Sequence, residues 1–121
     1  MNSDVTADVA TDEYVCELSE LPIGRAVQAQ VGEHIVAVVR LAEREVHAVD
    51  DLCTHGRVSL AEGDVVGCEI ECWLHGSRFN LITGAVSGPP ALIPVAVYAV
   101  RLDGDAVYIS TTPNSAQENP S

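Results

Sequence analysis

Apolar and polar positions along this chain come in short runs broken by turn residues, and no stretch repeats with the 3.6-residue period of a helix. From Tyr14 the runs read YVCEL, RAVQAQV, HIVAVVRL and EVHAV, with the turn-like SELPIG and then Gly32 between the first three. Val, Ile, Leu and Ala in segments of this length predict strands. Val36, Val38, Val39 and Leu41 break clean alternation, which predicts a strand covered on both faces. Farther along, LIPVAVYAVRL and DAVYIS flank Asp103-Gly104, a pair suited to the positive φ of a tight hairpin turn. The expected fold is all-β, a small antiparallel sandwich or barrel without internal repeats.

Between Asp50 and Pro90 the pattern changes. Six glycines (Gly56, Gly63, Gly67, Gly76, Gly84, Gly88) and the run Gly88-Pro89-Pro90 mark loops, which the backbone of a binding site exploits. The expected organisation is one domain over residues 13–110, with a loop-built subdomain at about 50–90 and polar tails at 1–12 and 111–121.

Composition narrows the partners. Acidic residues outnumber basic ones by 18 to 6, for a formal net charge of −12, and every basic residue is Arg. Such a surface repels phosphate backbones, which argues against nucleic acid and for a protein partner with a basic docking face. No apolar run approaches the roughly 18–20 residues that span a bilayer, and the opening MNSDVTADVATDE lacks the positive charge of a signal peptide. A cytoplasmic protein with no membrane partner is expected, and there cysteines paired with histidines point to metal rather than to disulfides.

Candidate chemistry concentrates in CTHGRVSLAEGDVVGCEIECWLHGSRF, residues 53–79, which holds three of the four cysteines and two of the four histidines. The candidate ligands are Cys53, His55, Cys72 and His75, in the order Cys-x-His, sixteen intervening residues, Cys-x-x-His. Two thiolates and two imidazoles satisfy tetrahedral zinc, so a zinc-stabilised binding module is one reading. Against it, the first pair has a single intervening residue, tighter than the usual zinc knuckle, whereas in a binuclear cluster the two members of a pair can serve different irons. A core this rich in Val and Leu also has no need of a metal staple.

With Gly76 and Ser77 behind it, the motif resembles that of the Rieske [2Fe-2S] proteins. The context AVDDLCTH, LAEG and the downstream Thr83-Gly84 and Pro89-Pro90 is most similar to the small Rieske ferredoxins of bacterial ring-hydroxylating dioxygenase systems. The resemblance covers roughly residues 14–110. It implies a Rieske fold and one [2Fe-2S] cluster, with Cys53 and Cys72 on one iron and His55 and His75 on the other. Two ferric ions, two sulfides, two thiolates and two neutral imidazoles sum to zero charge, so such a centre accepts an electron more easily than an all-cysteine one.

The resemblance further implies an electron carrier rather than an enzyme. Its donor would be a flavin-containing, NAD(P)H-dependent ferredoxin reductase, and its acceptor a terminal non-haem iron oxygenase. The chain has no Gly-x-Gly-x-x-Gly fingerprint, so both ends of the relay must be other proteins. A monomer is expected. The runner-up is a Rieske small subunit of nitrite reductase, or a Rieske protein linked to iron–sulfur assembly.

High-potential Rieske proteins add a disulfide between the loops and a Ser/Tyr hydroxyl pair near the cluster. Here Val58 and Leu74 stand at the cysteine positions, Ser77 keeps one hydroxyl, and Phe79 replaces the tyrosine, which implies a lower potential. Ser77, Trp73 and Pro89 are expected around the ligands, Trp73 as a hydrophobic lid or as an aromatic docking contact. Cys68 and Cys16 are expected as buried packing residues, and His34 and His47 as ordinary strand histidines. Arg57 and Arg78 flank the ligand loops, with Glu62, Asp64, Glu69 and Glu71 behind, so the tip is expected to be less acidic than the body.

Overall fold

In the computed structural model, residues 12–54, 58–74, 76–87 and 93–113 are described. They form ten strands and two single 3-10 turns, at Leu18–Glu20 and Leu60–Glu62. The strands are β1 (Asp12–Glu17), β2 (Ala26–Val31), β3 (His34–Ala42), β4 (Glu45–Asp50), β5 (Asp64–Val66), β6 (Glu69–Glu71), β7 (Arg78–Asn80), β8 (Val97–Tyr98), β9 (Val100–Asp103) and β10 (Ala106–Ser110). They build three sheets, in the orders β1-β10-β9, β2-β3-β4-β8 and β5-β6-β7, and every strand pair is antiparallel. The expected all-β architecture is what the chain adopts. Of the expected tails at 1–12 and 111–121, residues 1–11 and 114–121 lie outside the described residues, while Asp12 opens β1 opposite Ser110. Among the described residues no helix is long and apolar enough to cross a membrane.

The four-stranded sheet is the wall between two cores, and β3 shows why its sequence breaks alternation. Val36, Ala37, Val38 and Val39 are all buried. Because successive side chains point to opposite faces, Val36 and Val38 enter one core, with Leu18, Val31, Val46, Tyr98, Val107 and Ile109. Ala37 and Val39 enter the other, with Val49, Leu60, Ile70, Phe79, Leu81, Val95 and Val97. Burying a valine side chain stabilises by roughly 1.5–3 kcal/mol, so both faces contribute. Leu41, grouped with these residues on sequence, is only partly buried.

The closing hairpin forms at Asp103-Gly104, with Asp103 opposite Ala106 and Gly104 at φ 63°. The run LIPVAVYAVRL is not one strand, however. It divides at Ala99, so that β8 pairs with β4 in the central sheet while β9 pairs with β10 in the outer one. Arg40 ties the segment before β2 to this wall. Its guanidinium donates to the carbonyls of Leu18 (3.1 Å), Leu21 (3.0 Å) and Glu43 (2.9 and 3.2 Å).

Candidate metal centre

The subdomain expected to be loops contains a sheet. β5 and β6 form a hairpin, β6 pairs with β7, and Phe79 bridges to Val86 beyond it. Two loops project from this framework. The first leaves β4 and reaches the 3-10 turn at Leu60; the second joins β6 to β7.

Each loop carries a candidate cysteine at its base. The Cys53 amide donates to the Val58 carbonyl at 2.9 Å, and Leu52 pairs with Ser59, closing the first loop. The Cys72 amide donates to the Ser77 carbonyl at 2.7 Å, and the Gly76 amide returns to the Cys72 carbonyl at 2.9 Å, closing the second. The two cysteines are 1 % and 2 % exposed and belong to the same core cluster, with Leu60, Ile70, Phe79 and Leu81 around them. Two thiols carried by separate loops into one apolar core are a donor set that suits one thiolate-held iron. His55 and His75, the expected ligands of the second iron, lie outside the described residues, as do Arg57 and Pro89.

The residues expected around the ligands divide. Ser77 is buried beside the base of the second loop, and Phe79 is wholly buried in the shared core. Trp73 and Leu74 stay exposed, at 52 % and 38 %. Leu52 and Ile93 are likewise exposed, and their segments are tied by the Thr54 hydroxyl donating to the Ile93 carbonyl at 2.7 Å. Trp73 therefore takes no part in the buried core around the cysteines.

Several expectations require correction. Cys68 is exposed rather than packed, because it sits in the turn between β5 and β6 and not on a strand. Arg78 does not offer an isolated positive charge to a partner, since it lies 3.8 Å from Glu69 and 3.9 Å from Glu71 across the sheet. Arg101 pairs with Asp12 at 2.9 and 3.2 Å, and Arg44 with Asp105 at 3.5 Å. Cys16 is half-buried, and burial, then Glu20 and Glu17, push its thiol above the ordinary range, as suits an unreactive packing residue. His34 and His47 are strand histidines, the first tilted over Tyr98 at 5.3 Å and the second 2.8 Å from Glu45.

One residue that sequence reasoning passed over is Asp51, which is 4 % exposed. Its carboxylate accepts from Gln28 Nε2 (2.8 Å), Ser59 Oγ (3.0 Å) and the Ala61 amide (2.9 Å). The only hint in the sequence is an acid two places before the first ligand cysteine.

The sequence profile of the Rieske [2Fe-2S] domain matches residues 12–99. The biphenyl dioxygenase ferredoxin subunit of Pseudomonas sp. (strain KKS102) is 38% identical over 95 residues, 78% of this chain and 86% of that protein. The ferredoxin of carbazole 1,9a-dioxygenase from Nocardioides aromaticivorans IC177 is similar in structure, with a TM-score of 0.79 and 34% identity over 83% of this chain and 97% of its own. A chain from the complex of reduced oxygenase and oxidized ferredoxin in carbazole 1,9a-dioxygenase has the same TM-score and identity, over 85% of this chain and 95% of that one.

Proposed function

This chain belongs to the Rieske [2Fe-2S] domain family, and on that premise we propose that Cys53 and Cys72 hold one iron of its cluster while His55 and His75 hold the other. It is an electron-transfer ferredoxin with one Rieske-type [2Fe-2S] cluster, a carrier component of an oxygenase system rather than a catalyst, which sets aside the zinc-module reading. When bound, the cluster supplies a reversible one-electron site whose potential falls, for this ligand type, between about −150 and +300 mV.

The chain's own residues divide the labour between holding and presenting. Cys53 and Cys72 withdraw the sulfur-held end into the core, and the hydrogen bonds that close each loop fix the cysteines at the loop bases. In this reading electrons pass through the imidazole ligands, and exposed Trp73 and Leu74 belong to the partner-facing surface. The observation that carries this reading is the contrast between buried cysteines at the loop bases and exposed apolar residues one and two positions farther along the second loop. Ser77 is buried next to Cys72, whose amide donates to its carbonyl, and its hydroxyl is the candidate donor to the thiolate. The site-bearing subdomain at about 50–90 forms one domain with the rest of residues 13–110.

The electron comes from a flavin-containing, NAD(P)H-dependent reductase and goes to a terminal non-haem iron oxygenase. Support for the acceptor comes from the similarity to a dioxygenase ferredoxin subunit and to a chain from an oxygenase–ferredoxin complex. The net charge of −12, with Arg44, Arg78 and Arg101 already paired to carboxylates, suits basic docking faces on both partners. Trp73 supplies an aromatic contact in these small, transient interfaces.

Purified protein is expected to be red-brown, to contain two irons and two acid-labile sulfides per chain, and to bleach with dithionite. His55→Ala and Cys72→Ala should lose the chromophore while keeping the β-sheet signal. A single zinc without sulfide in mature protein overturns the assignment.

A further inference from the structure

The first ligand loop runs from the end of β4 to the 3-10 turn at Leu60. Beside its base lies an open cleft of about 480 Å³, lined by Gln28, His34, Asp51, Leu52 and Ser59 among others. On that side directed hydrogen bonds close the loop, while Cys53 and Leu60 near its two ends are buried in the core beneath.

Those bonds converge on Asp51. Its Oδ1 accepts from Ser59 Oγ at 3.0 Å and from the Ala61 amide at 2.9 Å, both at the far end of the loop that Asp51 itself begins. Its Oδ2 accepts from Gln28 Nε2 at 2.8 Å, on β2 of the central sheet. Its backbone adds two more ties, with its amide donating to Ile35 and its carbonyl accepting from Leu60. An amide N–H and a carboxamide NH₂ can only donate, so both carboxyl oxygens of Asp51 act as acceptors. It is 4 % exposed.

We propose that Asp51 is a positioning residue of the cluster site: its carboxylate clamps the start and end of the first ligand loop to β2, and its buried negative charge lowers the reduction potential of the nearby centre. Ionic hydrogen bonds are stronger than neutral ones, so the clamp fixes the base of the loop, where Cys53 sits, more firmly than a neutral side chain could. The same charge, held two residues from Cys53 in a poorly solvated position, opposes the arrival of an electron. This rests on the ligand assignment above.

Two variants separate the two roles, studied as cluster-loaded proteins. Asp51→Asn keeps an oxygen for Ser59 and Ala61 and, once the Gln28 carboxamide turns over, a donor for its oxygen, but it removes the charge. Its midpoint potential should shift positive while its visible spectrum stays that of a Rieske centre. Asp51→Ala removes the clamp, and its chromophore should be lost to a chelator about tenfold faster or more, the effect of a single ionic hydrogen bond. Amide exchange at Leu60 and Ala61 should speed up with it.

If Asp51→Ala does not fold, Ser59→Ala takes its place: it removes one donor and keeps the charge, so chelator loss should quicken with little change in potential. An Asp51→Asn potential equal to the parent's overturns the charge role. Parent-like chelator loss and exchange in the clamp variants overturn the positioning role. Iron and sulfide content of the unmodified protein tests the ligand assignment separately, so the two readings fail on different measurements.

Discussion

Gly84 offers a test of how tightly the site-bearing half is fitted to the central sheet. It is buried at the turn after β7, with φ 82°. Its amide donates to the Asn80 carbonyl at 2.7 Å, and its carbonyl accepts from the Val95 amide at 3.0 Å. An added Cβ would overlap the Val95 carbonyl oxygen and come within 3.0 Å of a Val97 methyl. In Gly84→Ala, the left-handed backbone alone costs about 1–2 kcal/mol. Relieving the overlap requires the Val95 segment to move, which weakens one backbone bond and crowds the core for about 1–3 kcal/mol more. Gly104 is the built-in control, with φ 63° and no atom within 4 Å of where an alanine methyl would sit, so Gly104→Ala incurs the backbone cost of about 1–2 kcal/mol alone. At about 4 °C per kcal/mol for a chain of this size, the expected falls in Tm are about 8–20 °C for Gly84→Ala and about 4–8 °C for Gly104→Ala. Melts of the loaded protein, followed by circular dichroism and by visible absorbance, read both. Equal destabilisation by the two variants would refute the close approach of the Gly84 turn to β8.

Arg40→Met should lower stability by about 1–3 kcal/mol by removing the donor that the carbonyls of Leu18, Leu21 and Glu43 share, and a urea titration followed by circular dichroism measures it. Tyr98 is held up to about 12 by burial and then by the charge and hydrogen bond of Asp50, and Tyr14 to about 12 chiefly by its hydrogen bond to Glu17, so absorbance near 295 nm should show two phenols ionising well above the usual value of 10, of which Tyr98→Phe removes one. Because the folded value of Tyr98 is raised, the stability it contributes is complete below about pH 10 and fades as pH climbs through about 12. Asp50 is also raised, chiefly by burial, so its contribution favours the fold at acid pH and declines as pH rises through its folded value, a trend that Asp50→Asn should remove from a plot of stability against pH. The midpoint potential should lie in the lower half of the roughly −150 to +300 mV span, and voltammetry giving more than about +200 mV would contradict the roles assigned to Phe79, Val58 and Leu74. Trp73→Ala should slow turnover with the oxygenase while leaving the visible spectrum unchanged.

Features whose cause is local can be read directly from the chain. Asp103-Gly104 announces its hairpin because few residues tolerate that backbone, and the run around Val36–Val39 announces burial on both faces because no solvent-facing strand tolerates four such side chains in succession. The ligand pairs are legible because metal chemistry restricts residue type and spacing together. The division at Ala99 is not, since VAVYAV is equally apolar on both sides and only pairing with β4 or with β10 decides where each part goes. The sheet β5-β6-β7 reads as loop because its strands are three residues long and Ile70 lies between two glutamates. Cys68 is expected inside because cysteine usually is, but the chain reverses at that position. Asp51 carries no mark of its burial, because its partners Gln28 and Ser59 come from distant positions and meet it only in the folded chain.

A strand that serves two cores at once leaves neither half able to come apart alone. Stripping the outer sheet from Val36 and Val38 would wet the back of the same backbone that supports Ala37 and Val39 under the cysteines. The redox loops and the far side of the molecule should accordingly melt in a single cooperative step, so that fading colour doubles as a gauge of whether the whole chain is folded.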